Sequence, residues 1–111
     1  MAQFPRQYLE GIHLFNEGKY FEAHEIWEEI WGESVGLEKK FYQALIMVAV
    51  ALLKRESNIP GGAEKMYQRA LERLAELPDS YFGIDIREFE KEFRENFSDS
   101  SPLKINFLHF Q

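Results

Sequence analysis

The chain has 111 residues, 19 acidic against 13 basic side chains, a formal charge of −6 and no cysteine. That length supports one domain with one hydrophobic core. The missing thiols exclude disulfides, thiolate catalysis and cysteine-held zinc or iron–sulfur clusters, and acidic charge with dispersed basic residues argues against nucleic-acid and anionic-membrane partners.

Ten Phe, five Tyr and two Trp supply a core and argue against disorder over most of the length. The start, M-A-Q-F-P-R-Q-Y, lacks the pattern of a signal peptide. The longest apolar run, Phe41 to Leu53, is interrupted by Gln43 and falls short of the roughly 20 residues that span a bilayer. A soluble, cytoplasmic protein is the expectation.

The first helix is predicted to begin near Pro5, whose fixed φ suits a first helical turn. Tyr8, Leu9, Ile12 and Phe15 give it an apolar face, and Gly18 is its natural left-handed cap. A second helix follows over about residues 19 to 31, with a break from Gly32 to Gly36. The third, about residues 37 to 57, is apolar nearly all round, which predicts a central position touched on several sides.

Asn58 to Gly62 reads as a turn, and a fourth helix covers about residues 61 to 77, stopped by Pro78. Its second face is a mixed-charge solvent face. Leu77 to Gly83 is a connector. A fifth helix starts at Asp85, with Asp85 and Glu88 as a capping box and Ile84 and Phe89 as a hydrophobic staple. Residues 98 to 111 read as a linker and an apolar tail, Leu103 to Phe110, able to dock on a neighbouring copy. The bundle domain is therefore residues 1–97.

Aligning Ala23 with Ala63 matches Trp27 to Tyr67 and Trp31 to Leu71, so the two halves look like helical hairpins of the tetratricopeptide kind. Two hairpins fall short of the roughly three that a solenoid needs. The expected fold is all-α, a closed bundle of two αα-hairpins plus a fifth helix.

Chemistry concentrates in the second helix. On a wheel with Tyr20 at zero, Trp31 falls at about 20°, His24 at about 40°, Glu28 at about 80° and Phe21 at about 100°. His24 then lies inside an aromatic stripe, with Glu28 one turn along and within reach of its imidazole. Ionisable groups on a face built for burial need partners, which leaves three roles open. The pair is a structural hydrogen bond, or a ligand or acid/base site, or part of a metal site.

Gln43, the lone polar residue in the apolar third helix, is the candidate to complete a site, with Tyr20 and Trp31 as lining. H-E-x-x-E is not the zinc-protease signature, so no metal is expected and His24 and Glu28 are only weak ligands. There is no phosphate loop, nucleophile elbow or nucleotide fingerprint, so no cofactor is expected. His13 and His109 are set aside as surface and tail residues.

The segment from Phe15 to Trp31 resembles the domain-of-unknown-function family 309, whose pattern F-N-x-G-x-Y-F-E-A-H-E-x-x-E-x-x-W is met by Phe15, Asn16, Gly18, Tyr20, Phe21, Glu22, Ala23, His24, Glu25, Glu28 and Trp31. Phe41, Gln43, Ala44, Leu45, Ile46 and Ala49 extend the match, as do Gly62, Ala63, Tyr81, Gly83, Ile84 and Asp85. The resemblance spans about residues 8 to 95 and implies a small all-helical bundle with no established activity. Met47 departs from the family's second glutamine. Leu53 and Lys54 stand where many relatives carry histidine, so a third ligand beside His24 and Glu28 is missing.

The expectation is a non-catalytic binding or interaction module with a polar pocket around His24, Glu28 and Gln43, for a small molecule or protein still unknown. A metal- or histidine-assisted hydrolase using the same residues is the first alternative. A structural module that binds protein through exposed aromatics is the second.

Overall fold

Tyr8, Ile12 and Phe15 share one face of a helix, and the chain buries that face at once. The computed structural model describes residues 4–58 and 60–107. Helix α1 (Arg6–Asn16) buries Tyr8, Gly11, Ile12 and Phe15. It ends in a Schellman turn: Gly18 takes φ 82°, and the N–H groups of Gly18 and Lys19 donate to the carbonyls of Phe15 and Leu14, each at 2.9 Å. These bonds satisfy carbonyls that the helix end would otherwise orphan.

Helix α2 (Tyr20–Glu33) returns against α1 and buries Ala23, Trp27 and Ile30. The two helices meet where the Trp27 ring lies on Gly11. A Cβ at position 11 would stand 2.0 Å from Trp27 Nε1, so no larger residue fits without displacing the indole. The same indole N–H donates to the Tyr8 carbonyl at 3.3 Å.

Helix α3 (Gly36–Glu56) packs against both α2 and α4 (Pro60–Ala75). Phe41, Tyr42, Leu45, Val48 and Leu52 lie in the core, whereas Ile46, Met47 and Val50 are only partly buried. The third helix is therefore covered on two sides rather than all round. Among the described residues, five helices and a minimal two-stranded ladder make this an all-α fold that is not a solenoid. No described helix is long and apolar enough to cross a membrane.

The connector after Pro78 holds more order than a loop. Ser80–Tyr81 (β1) pairs antiparallel with Ile84–Asp85 (β2), in the register Ser80↔Asp85 and Tyr81↔Ile84. Phe82 and Gly83 form the turn at φ 45° and 78°, the positive values a two-residue hairpin requires. Phenylalanine rarely adopts such a φ. Packing holds it there: the Phe82 ring meets Tyr8 at 5.4 Å and Phe41 at 5.4 Å, and its carbonyl accepts the Tyr8 hydroxyl at 2.7 Å.

Helix α5 (Ile86–Asp99) starts as its sequence predicts, with Asp85 Oδ1 accepting the Glu88 N–H at 3.0 Å and with Ile84 and Phe89 both buried. It docks through Phe97, stacked on Tyr67 at 4.2 Å, and Phe93, edge-on to Tyr67 at 5.1 Å.

Arginines from elsewhere satisfy two helix ends. Arg87 donates to the carbonyls of Leu74 and Leu77 at 2.7 and 2.9 Å. Its Nε lies 3.0 Å from a carboxylate oxygen of buried Glu90, close enough to pair though out of line for a hydrogen bond. Arg55 donates to the Asn96 carbonyl, the Asn96 side chain and the Ser100 hydroxyl.

The segment after Asp99 lies on its own bundle. Leu103 and Ile105 are 5% and 2% exposed, and Phe107 stacks on Phe4 at 5.7 Å. The Asn16 side chain pairs with both backbone groups of Ile105, donating at 2.9 Å and accepting at 2.8 Å, while Lys104 donates to the Asn16 carbonyl. Leu103 and Ile105 thus face their own bundle, while Pro102, Lys104, Asn106 and Phe107 stay exposed, in a stretch the sequence reads as a tail able to dock on a neighbour. Leu108 to Phe110, and His109 with them, lie outside the described residues.

Candidate functional site

The buried side of α2 is centred on Ala23, Trp27 and Ile30, which leaves His24 and Glu28 on its flank. His24 Nε2 lies 2.6 Å from Glu28 Oε1, with the two side chains 20% and 53% exposed. The predicted pairing is present, but the predicted burial is not: Glu28 is open to solvent, and Phe21 is 49% exposed. The wheel puts His24 inside the aromatic stripe, but the core takes only the other side of that arc, around Ala23, Trp27 and Ile30.

The pair carries a chemical constraint. His24 Nδ1 faces the Phe21 carbonyl at 2.9 Å, while Nε2 faces Glu28. Both ring nitrogens thus meet acceptor oxygens. A neutral imidazole has one N–H, so both contacts are satisfied only when ring and carboxyl together hold one extra proton. In that state the pair is neutral overall.

Beside it, a cleft of about 290 Å³ opens between α2, α3 and α4, lined by Glu28, Trp31, Gln43, Ile46, Met47, Val50 and Met66. Gln43, Met47 and Val50 form one stripe of α3 at i, i+4 and i+7, only partly buried between α2 and α4. Three of the five predicted site residues, Glu28, Trp31 and Gln43, therefore line one cavity. His24 stands next to it through Glu28. Tyr20 belongs elsewhere: it packs edge-on to Phe15 at 5.2 Å and lines a different cleft with Leu52, Arg55, Glu56, Asn96 and Ser100. Burial, and then Glu56, push its hydroxyl pKa up against the opposing pull of Arg55.

Trp31 has two further features. Its indole N–H is buried without an acceptor among the described residues, and the Lys39 ammonium lies over its ring, 4.3 Å from the centroid. Lys39 is one turn before Gln43 on the same side of α3 and rests on a residue of the cleft wall, outside the lining itself. Ile46, Met47 and Val50 belong to the apolar run that the sequence places at the centre of the bundle, because apolar character alone does not distinguish a covered stripe from an open one. Among the described residues no group of three or more His, Cys, Asp or Glu is placed to hold a metal.

Comparison with known proteins gives relatives without an assigned activity. An uncharacterised protein of Aquifex aeolicus (strain VF5) is 34% identical over 87 residues, which is 78% of this chain and 26% of that protein. The chain thus spans about a quarter of the curated relative it matches. A crystal structure of a conserved hypothetical protein from Thermus thermophilus is 30% identical, with a TM-score of 0.73 over 86% of this chain and 99% of that one. The profile described as a domain of unknown function, DUF309, matches residues 8–66, which hold α1, α2, α3 and the cleft residues on them, and the chain belongs to that family.

Proposed function

We propose that this protein is a non-catalytic binding module whose site is the cleft between α2, α3 and α4. The observation that carries this reading is the cleft's composition. A floor of Ile46, Met47, Val50 and Met66 is edged by Glu28, Gln43 and Trp31. An apolar concavity with a few polar groups at its margin is the usual form of a small-molecule site, and about 300 Å³ is the small end of that range. Two methionines in the floor adapt to differently shaped apolar groups.

The hydrolase alternative has less to support it. Both ring nitrogens of His24 are already engaged, so the imidazole offers no lone pair to a water or a nucleophile.

Methyl NMR tests the binding reading. With ¹³C-methyl methionine, Met47 and Met66 report directly on the cleft. A neutral apolar alcohol such as hexanol is expected to shift both resonances saturably, and Met47→Glu is expected to abolish the response while the remaining spectrum stays folded. Unmoved methyl signals at millimolar hexanol would overturn the proposal.

A further inference from the structure

Resting on that binding site, we infer that its ligand is an apolar carboxylate, held by Lys39 and the indole N–H of Trp31 with its hydrocarbon part on Ile46, Met47, Val50 and Met66. The charges around the cleft favour an anion. Glu28 is the acidic residue in its lining, and its carboxylate is already paired with His24 Nε2 at 2.6 Å. Lys39 has no such match: among the described residues no carboxylate oxygen comes within 4.0 Å of its ammonium. It rests instead on the half-buried Trp31 ring, a weaker partner than a carboxylate.

The hydrogen-bonding inventory agrees. Trp31 buries a donor with no acceptor among the described residues, and a buried unmade hydrogen bond is unfavourable. Lys39 adds three donors and Gln43 two more. A carboxylate beside the indole edge would accept from the Lys39 ammonium and from the Trp31 N–H together. An ammonium ligand would compete with Lys39 for the same ring and leave that N–H unmet. The small cavity volume fits a short aliphatic chain rather than a polycyclic body.

Three probes of one chain length separate the possibilities: hexanoate, hexylammonium and hexanol, each titrated into the full chain with the Met47 and Met66 methyl signals as readout. Hexanoate is expected to bind roughly tenfold more tightly than hexylammonium, the value of a charge-assisted hydrogen bond. Lys39→Gln is expected to bring the two within about twofold, because the charge that favours the carboxylate is gone. Hexylammonium binding as tightly as hexanoate, or a hexanoate preference that survives Lys39→Gln, would overturn the inference. If hexanol binds and hexanoate gains nothing over it, the carboxylate assignment fails while the binding site stands. If none of the three moves the methyl signals, the site itself fails and the inference with it.

Discussion

Tyr8 and Tyr42 are both fully buried, yet their hydroxyls have opposite fates. Tyr8 donates to the Phe82 carbonyl at 2.7 Å, whereas the Tyr42 hydroxyl has no partner among the described residues. Burial raises both pKa values well above the ordinary phenol range, with Tyr42 adding to the shift of Tyr8, and Glu38 and Tyr81 to that of Tyr42. The folded state therefore holds these protons at a pH where the unfolded chain, with phenols near pKa about 10, releases them. Their contribution is fully present below that pH and is lost as pH rises beyond it. Urea unfolding at neutral pH should show Tyr8→Phe losing about 1 kcal/mol and Tyr42→Phe losing nothing or gaining slightly, because removing an unbonded buried hydroxyl removes a penalty. Each variant should also show a shallower stability loss above pH about 10. A larger loss at Tyr42 than at Tyr8 would show that the Tyr42 hydroxyl is bonded after all. Sequence reading finds such residues as core aromatics but cannot assign their partners. Gly11 was equally silent, because the indole that demands it belongs to Trp27 on the next helix.

Helix existence was legible in every case, since each helix carries its own apolar period and its own stop signal. Gly18 and Asp85 act as their types predict. Two features were not legible, for different physical reasons. The hairpin at Phe82 requires a backbone conformation its residue type disfavours, and only the surrounding ring cluster holds it. The open stripe of α3 is invisible because apolarity records what a helix can bury, not how many neighbours arrive to bury it. The arginine caps were missed for a similar reason, being contacts between distant elements. Arg55 makes three hydrogen bonds to the last turn of α5 and lies over the Phe97 ring. Arg55→Met should cost about 2 kcal/mol by the loss of charge-assisted bonds, with amide exchange accelerating first over residues 96–100. Uniform acceleration along the chain, with no bias to that end, would mean that Arg55 serves the core rather than the cap.

For the molecule as a whole, the candidate site was half legible. Glu28, Trp31 and Gln43 were identified because polar or aromatic residues in apolar runs draw attention, but the cleft's floor required a third dimension. The far end of the chain required it more. Leu103 and Ile105 looked like a surface for another copy, and instead they close this one, clasped by Asn16. That clasp joins positions 89 apart, which bears on the order in which the molecule assembles. Closing a loop of that length in an unfolded chain costs about 4 kcal/mol, far more than two hydrogen bonds return. The most extensive contacts from α1 through α4 are between sequence neighbours, and short-range contacts close at lower entropic cost. The clasp is therefore a late event, and the first to open. The Ile105 amide should exchange through an opening of lower free energy than the Trp27 core, and Asn16→Ala should lower it further while leaving the core amides unchanged. Exchange of Ile105 at the global unfolding free energy would instead make the clasp part of the folding unit.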